Sequence, residues 1–168
     1  GVEIVAELDI AARALTGVNL VVVTGTNGKT TCAGLTAQAL EALGRRSGVI
    51  GTIGAGRFDS LRPISLTTPD AVSLQAELAQ MVDAGLDSVC IEISSHALDQ
   101  ARVRGVDIDA AVFTNLSRDH LDYHGNMDAY AASKFLLFQD HGVRAAIINT
   151  SDPYGAEFVR AGIPGKVW

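Results

Sequence analysis

The sequence is poor in aromatic residues, cysteine and proline, and each shortage narrows the class of protein. Aromatic residues make up 5% of its 168 residues, and it holds only 2 cysteines and 4 prolines. Two cysteines do not build a disulfide scaffold, so we expect Cys32 and Cys90 to be core thiols in a reducing compartment. No apolar run reaches the roughly 18 residues of a membrane span. The net charge is −6, and the sequence contains no block of basic residues. We therefore expect neither a membrane nor nucleic acid as a partner.

Apolar, β-branched runs are abundant, and they alternate with segments of helical pattern. Hydrophobic residues make up 48% of the chain. We predict strands at 18–24, 47–52, 88–93, 110–114, 145–149 and 166–168, and helices at 6–15, 32–43, 69–84, 127–139 and from 153. A glycine-rich stretch at 53–66 is either a hairpin or a mobile loop. This alternation predicts one α/β domain, a mostly parallel sheet with helices on both faces, that binds ligands at the carboxyl ends of its strands.

The segment from Gly25 to Thr31 joins the first of these confident strands to the helix that follows it, and it ends in a lysine and two threonines. Backbone N–H groups and the helix dipole at such a turn favour a phosphate group, and Lys29 adds a full positive charge. The P-loop pattern G-x-x-x-x-G-K-[ST] places its first glycine at Val23, so the match is incomplete. A tight turn without a ligand is the alternative, but it leaves the lysine and threonines unexplained. We therefore predict a P-loop nucleotide site.

Glu92 stands near the carboxyl end of an otherwise apolar predicted strand. A charge is costly there unless it is paired or bound to a metal. Glu92 is therefore either a magnesium ligand beside Thr30 or the partner of a nearby lysine or arginine. The polar residues 94–96 that follow either bind a substrate or cap the next helix. Upstream, Thr68 is predicted to be the N-cap of a helix that has Pro69 in its first turn.

A dense polar segment at 115–124 follows the fourth predicted strand, with two histidines, two acids and an arginine. Mg²⁺ prefers oxygen ligands, so His120 would be an unusual member of its shell. A solvated loop that leads into a capped helix is the other interpretation of this segment.

Lys134 falls on the apolar stripe of the predicted helix that Asn126 caps, in line with Met127, Tyr130 and Leu137. A lysine in this position either reaches solvent along its aliphatic stem or enters a site. Burial in a site lowers the pKa of the amine and makes it available for chemistry.

Three ordered segments, 24–31, 92–96 and 114–125, together resemble the Mur ligases of peptidoglycan synthesis, and Lys134 follows them at the family's spacing. The third segment most resembles the branch that adds the third residue to UDP-N-acetylmuramoyl-L-alanyl-D-glutamate. The resemblance extends from about Val18 to Asp152. We therefore expect residues 1–168 to be a single ATP-binding central domain, without the N-terminal UDP-binding domain and the C-terminal amino-acid-binding domain.

The resemblance implies an ATP-dependent ligase that forms an amide bond through an acyl phosphate. Its partners would be the UDP-N-acetylmuramoyl dipeptide and an amino acid, either meso-diaminopimelate or lysine, in the bacterial cytoplasm. We expect the chain alone to be a monomer and to be inactive, because the two missing domains supply substrate contacts.

The same resemblance implies a role for each matching residue. Lys29 would hold the β- and γ-phosphates, in a cradle formed with Gly25, Thr26, Asn27, Gly28, Thr30 and Thr31. Thr30 and Glu92 would bind a first Mg²⁺, and His120 a second. Lys134 would carry a CO₂-derived carbamate that helps to hold the metal. The substrate contacts would fall on Thr67, Thr68, Ser94, Gln100 and Arg102, whereas Leu66 stands where the family often has asparagine.

One segment departs from this pattern. The opening, Gly1 to Arg13, resembles the start of the D-glutamate-adding ligase, which would make the chain a hybrid or divergent member. Two alternatives therefore stay open: an engineered or divergent nucleotide-binding module, or another ligase of the same fold, such as a folylpolyglutamate or cyanophycin synthetase. The run from His120 to His124 argues against the second alternative.

Overall fold

A seven-stranded sheet forms the centre of the computed structural model, which describes residues 18–168. The predicted helix at 6–15 and the resemblance of residues 1–13 lie outside this range. The strands are β1 (Asn19–Thr24), β2 (Ser47–Gly51), β3 (Gly54–Gly56), β4 (Ser88–Glu92), β5 (Ala110–Phe113), β6 (Ala145–Ile148) and β7 (Lys166–Val167). Their order is β3-β2-β4-β1-β5-β6-β7. Only the β2–β3 pair is antiparallel within this part of the chain.

Six helices occur over the same residues, and none of them is long and apolar enough to cross a membrane. They are α1 (Lys29–Ala42), α2 (Ala71–Asp83), α3 (Ser95–Asp99), α4 (Leu121–His124), α5 (Met127–Asp140) and α6 (Pro153–Ala161). Asn126 caps α5, as predicted, and Asp152 caps α6, because their side chains accept hydrogen bonds from first-turn N–H groups.

The two faces of the sheet are buried by different helices. Alternation along β1 sends Leu20 and Val22 into a large core with α2, α3, α5 and α6. Val23 points to the opposite face, where it packs with Ala33 and Ala37 of α1. The predicted α/β architecture, with a mostly parallel sheet and helices on both faces, is therefore confirmed. It brings the carboxyl ends of β1, β2, β4 and β5 to one edge.

Two of the local predictions in this part of the chain need correction. The helix after the P-loop begins at Lys29 and not at Cys32, because Gly28, at φ 83°, turns the chain directly into it. Cys32 is only half-buried, whereas Cys90 is fully buried. For the stretch at 53–66 the hairpin alternative is correct, because it contains β3, which extends the sheet as a hairpin with β2.

The N-cap of α2 is Asp70 and not Thr68. The Asp70 carboxylate accepts hydrogen bonds from the N–H groups of Val72 and Ser73. The Thr68 hydroxyl is buried and has other partners: it donates to the carbonyl of Glu92 and accepts from the N–H of Ser94. Thr68 therefore connects the start of α2 to the end of β4. The local sequence pattern does not predict these hydrogen bonds, because their partners lie far away in the chain.

Candidate nucleotide and substrate cleft

The turn after β1 is held open by the residues that follow β5. The N–H groups of Thr26 and Asn27 donate to the carbonyl and side-chain oxygens of Asn115, over 2.9 and 3.1 Å. The Thr114 hydroxyl donates to the carbonyl of Asn27 over 2.7 Å. A Cβ on Gly25 would collide with this hydroxyl, so glycine is required there. The predicted phosphate cradle is thus a preformed loop, clamped from the neighbouring strand.

Lys29 is folded back over this loop. Its Nζ donates to the carbonyls of Gly25 and Thr26, over 2.9 and 3.0 Å. Burial lowers the pKa of Lys29, and the nearby carboxylates of Glu92 and Asp119 oppose that effect. An anion in the loop can replace these neutral carbonyls with a charge-assisted partner for Lys29.

Glu92 lies at the end of β4 and is 2% exposed. Its Oε2 accepts hydrogen bonds from the hydroxyls of Thr30 and Thr52, over 2.9 and 3.2 Å. Its Oε1 accepts from the backbone N–H of Thr52 over 2.9 Å. Among residues 18–168, the partners of this buried carboxylate are therefore threonines and not a lysine or arginine, so no ion pair in this range accounts for its burial.

These donors and acceptors suit a hard cation. The Thr30 hydroxyl gives its only proton to Glu92, so the lone pairs of its oxygen are available to a metal. Hydroxyl and carboxylate oxygens are ligands that Mg²⁺ accepts. Over residues 18–168, no group of three or more His, Cys, Asp or Glu side chains could hold a metal ion. Any ion in this cleft would therefore need further oxygen ligands, of which nucleotide phosphates are one source.

Lys134 is 1% exposed and points into the protein, so of the two alternatives for this lysine the one in which it reaches solvent is excluded. Its Nζ donates to the carbonyl of Gly25 over 3.1 Å and lies 4.8 Å from the centroid of the Tyr130 ring. Burial, aided by repulsion from Lys29, lowers the pKa of Lys134 to about 7, against an opposing effect of Asp119. The amine is therefore ionised only in part near neutral pH.

His120 stands at the N-cap of α4 in the left-handed conformation, at φ 51°. Its ring packs edge-on against those of His96 and Tyr130, with centroids 5.0 and 5.9 Å away. Burial is the main cause of lowered pKa values for His96 and His124. His124 stacks on Tyr130 and hydrogen-bonds Ser95 over 2.9 Å. This aromatic cluster connects α3, α4 and α5 beside the P-loop.

The predicted substrate residues form the other wall of the cleft. Ser94 caps α3 by accepting from the N–H of Ala97, so the capping interpretation is correct, and its side chain also lines the cleft. Arg102 donates to the carbonyl of Thr68 over 2.9 Å and, through Nε and Nη2, to the side-chain oxygen of Gln100. Gln100 in turn donates to Tyr123 over 3.3 Å. These contacts prearrange the side chains of this wall.

One cleft joins the two walls, with a volume of about 520 Å³. Its lining comprises Thr26, Asn27, Gly28, Lys29, Thr30, Thr52, Leu66, Thr67, Thr68, Glu92, Ser94, His96, Arg102 and His120. The structure thus brings most predicted site residues to one surface. Four predicted residues are not part of the lining: Gly25 and Thr31 of the P-loop segment, Gln100, which contacts the lining residue Arg102, and Lys134, which contacts the carbonyl of Gly25.

The sequence predictions missed Thr52, Asn115 and Asp119 as site residues. Thr52 follows the short apolar run of β2, and a hydroxyl directly after a strand was the available signal. Asn115 and Asp119 stand in the polar segment that the sequence did single out. The contacts of Asn115 with the P-loop depend on β5 lying next to β1, which sequence order does not reveal.

A parallel sheet, a glycine-rich turn and a lysine–threonine helix start are typical of P-loop nucleotide-binding proteins. The sequence model of the Mur ligase middle domain matches residues 23–165. The chain therefore belongs to the Mur ligase family, of which it contains the middle domain.

Curated relatives share more than half of the aligned residues. The UDP-N-acetylmuramoyl-L-alanyl-D-glutamate--2,6-diaminopimelate ligase of Pseudomonas aeruginosa is 53% identical over 139 residues, which are 83% of this chain and 28% of that protein. The enzyme of the same name from Xanthomonas campestris is 55% identical over 133 residues, covering 79% of this chain and 27% of that protein. The chain thus spans little more than a quarter of the length of these relatives.

Solved structures agree with this assignment. A UDP-N-acetylmuramoyl-L-alanyl-D-glutamate--2,6-diaminopimelate ligase has a TM-score of 0.83 at 36% identity, over 95% of this chain and 36% of the other. A bifunctional folylpolyglutamate synthase/dihydrofolate synthase from Yersinia pestis, solved with AMPPNP and a Mn ion, has a TM-score of 0.70 at 24% identity. The match covers 100% of this chain and 47% of the synthase chain. At that identity the second similarity concerns the fold alone.

Proposed function

We propose that this chain is the ATP-binding part of a ligase that joins 2,6-diaminopimelate to UDP-N-acetylmuramoyl-L-alanyl-D-glutamate. One observation carries the proposal: the P-loop, the Thr30–Glu92 pair and the wall of Thr67, Thr68, Ser94 and Arg102 all line the same cleft. A nucleotide phosphate on one wall then lies opposite a substrate carboxylate on the other. Positioning of this kind, with charge neutralisation, is most of what phosphoryl transfer requires.

The proposed reaction has two balanced steps. A carboxylate oxygen of the dipeptide attacks the γ-phosphorus of ATP, so a C–O–P bond forms and ADP leaves. The neutral amine of diaminopimelate then attacks the acyl carbon, phosphate leaves with the bond electrons, and the amine loses a proton. Lys29 and the P-loop from Gly25 to Thr31 hold the phosphates, and Thr67, Thr68, Ser94, Gln100 and Arg102 orient the dipeptide.

We propose Mg²⁺ as the cofactor, with Thr30 and Glu92 as ligands to one ion and His120 as a ligand to a second. Bound there, Mg²⁺ would neutralise charge on the phosphates. Oxygen ligands at the first site fit this role. His120 is supported by its position in the cleft lining.

We also propose that Lys134 is carbamylated. The neutral amine attacks the carbon of CO₂, an N–C bond forms, and one proton leaves. A pKa of about 7 supplies that neutral amine at physiological pH. The resulting anion would attract Lys29, whereas the ammonium form of Lys134 repels it.

The choice of diaminopimelate over lysine rests on the names of the relatives that are 50–55% identical. We place the reaction in the bacterial cytoplasm, where such nucleotide-linked precursors would be made. We also propose that the chain is monomeric, without nucleic-acid or membrane partners, and that it needs further domains for turnover.

The test is ligation by the full-length protein that contains this chain, measured as phosphate release that requires ATP, the UDP-linked dipeptide and diaminopimelate together. Lys29→Ala should abolish turnover and weaken MgATP binding about tenfold to a hundredfold, because it removes a charge-assisted contact. The exposed Lys166→Ala serves as the matched control.

Two results would contradict the proposal. Phosphate release that depends on a folate or a cyanophycin primer would assign another ligase of this fold. The absence of a stability shift with millimolar MgATP would show that the loop does not bind nucleotide. The chain alone should show the shift without turnover.

A further inference from the structure

Thr52 makes contacts that neither family resemblance nor motif predicts. It follows β2 directly, and β2 lies beside β4 in the sheet, so Thr52 stands next to Glu92 at the carboxyl edge. It hydrogen-bonds both carboxylate oxygens: its N–H reaches Oε1 and its hydroxyl reaches Oε2. Two contacts from one residue fix both the position and the rotation of the carboxylate.

Gly51 leaves the space that the Glu92 carboxylate occupies. It is buried, and a Cβ at this position would overlap Oε1 of Glu92. The carboxylate therefore lies directly over the end of β2, in space that a side chain on residue 51 would occupy. The short β2 strand acts as a support for Glu92 in addition to its place in the sheet.

The Thr52 hydroxyl also contacts Thr67, with the two oxygens 3.1 Å apart. A hydroxyl has one proton, and Glu92 only accepts, so Thr52 donates to Glu92 and accepts from Thr67. The result is a directed chain from Thr67 through Thr52 to Glu92. It crosses from the proposed substrate wall to the proposed metal ligand.

We propose that Thr52 is a positioning residue that holds Glu92 ready for the metal–nucleotide complex and couples it to substrate bound at Thr67. This inference rests on the proposed function, because it takes Glu92 as the metal ligand and Thr67 as a substrate contact. Thr52 itself acts through these two residues and does not touch the reacting atoms.

The test measures Mn²⁺ binding to the full-length protein with AMPPNP, by electron paramagnetic resonance, for the wild type, Thr52→Val and Thr52→Ser. Valine keeps the N–H contact and the shape but removes the hydroxyl, so the Mn²⁺ dissociation constant should rise about tenfold, as expected for a lost hydrogen bond to a charged group. Serine restores the hydroxyl and should recover most of the affinity. The exposed Thr150→Val is the matched control and should leave the constant unchanged.

The coupling between metal binding at Glu92 and substrate binding at Thr67 is measured as the ratio of the Mn²⁺ dissociation constants with and without the UDP-linked dipeptide. That ratio should depart from one in the wild type and in Thr52→Ser, and should return to one in Thr52→Val. A ratio of one in the wild type overturns the link to Thr67.

Unchanged Mn²⁺ affinity in Thr52→Val overturns the positioning role. If valine prevents folding, Thr52→Ala, which also lacks the hydroxyl, is measured and judged in the same way. Failure of the proposed function gives a different result: a wild type that binds Mn²⁺ and nucleotide but does not release phosphate with the dipeptide and diaminopimelate. A wild type that does not bind Mn²⁺ removes the metal role of Glu92 and this inference with it.

Discussion

Lys29 and Lys134 donate hydrogen bonds to the same acceptor, the carbonyl oxygen of Gly25, over 2.9 and 3.1 Å. One lysine comes from the start of α1 and the other from the middle of α5, so two distant elements place their charges on one peptide group. Their mutual repulsion contributes to the lowered pKa of Lys134. The loop therefore holds an excess of positive charge, which an anionic ligand or an anionic Lys134 would relieve.

This arrangement predicts how stability depends on pH. Lys134 has a folded-state pKa of about 7 and an ordinary value of 10.5. Between these values the unfolded chain holds more protons, so the free energy of unfolding contributed by Lys134 rises with pH. Below about pH 7 Lys134 is protonated in both the folded and the unfolded state, so the full cost of burying its charge lowers the stability of the folded protein. Lys134→Met should therefore be more stable than the wild type at low pH, and the difference should shrink towards about pH 10, by up to about 1.4 kcal/mol per pH unit.

Urea unfolding in CO₂-free buffer over this pH range measures the effect. Lys166→Met removes an exposed lysine of β7 and should give a difference from the wild type that does not change with pH in this way. A constant difference between Lys134→Met and the wild type would contradict the depressed pKa. Added bicarbonate should stabilise the wild type and not Lys134→Met.

Much of this fold could be predicted because hydrophobic periodicity reflects local burial. The β1 run and the capping of α5 by Asn126 follow from patterns within a few residues. The apolar stripe identified Lys134 but left open whether it reaches solvent or enters a site, and only the structure shows that it is buried. The cap of α2 was predicted wrongly because Thr68 and Asp70 both suit an N-cap. Only the contact of Thr68 with β4 decides between them.

The candidate site was predictable as a set of residues but not as a geometry. Motifs identified Lys29, Glu92 and His120, and strand order then determined their neighbours. Thr52 reaches Glu92 only because β2 lies beside β4, and Asn115 clamps the P-loop only because β5 lies beside β1. Such contacts depend on the order of strands, which is a property of the whole sheet. The roles of these residues in binding and catalysis stay predictions.

Asp70 and Thr68 give a second prediction, a pair of substitutions that separates capping from support of the site. Asp70→Ala should cost about 1 kcal/mol of stability, as expected for loss of an N-cap, and leave nucleotide binding unchanged. Thr68→Val should cost about 1–3 kcal/mol, because it removes the buried hydrogen bond to the carbonyl of Glu92 and leaves the half-buried N–H of Ser94 without its partner. Thermal and urea unfolding measure both.

The pH dependence distinguishes the two variants further. Hydrogen bonds from Ser73 lower the pKa of Asp70, so its contribution is present above the unfolded-state pKa and is lost as the pH falls through the folded-state value. The stability difference between Asp70→Ala and the wild type should vanish in acid. Equal losses of stability in Asp70→Ala and Thr68→Val at every pH would contradict the assignment of the N-cap to the Asp70 carboxylate.

Gly51→Ala provides a third prediction, about the space that holds the Glu92 carboxylate. The added Cβ overlaps the carboxylate, so Glu92 must move or the strand must shift. We expect a loss of about 1–3 kcal/mol of stability, as for other over-packed sites. Mn²⁺ affinity in the presence of AMPPNP should fall by more than the affinity for AMPPNP alone. A variant with normal Mn²⁺ affinity would show that the position of Glu92 does not matter for the metal.

Arg102→Lys gives the last prediction, about the substrate wall. Three nitrogens of the Arg102 guanidinium contact Gln100 and the carbonyl of Thr68, and a lysine ammonium does not reproduce this planar set of donors. The KM for the UDP-linked dipeptide in the full-length enzyme should rise about tenfold, with the KM for ATP nearly unchanged, because Lys29 and the P-loop lie on the opposite wall. Arg144→Lys is the matched control, since Arg144 pairs with Asp109, and neither residue lines the cleft. Equal changes in both KM values would mean that Arg102 supports the whole cleft and does not orient the dipeptide specifically.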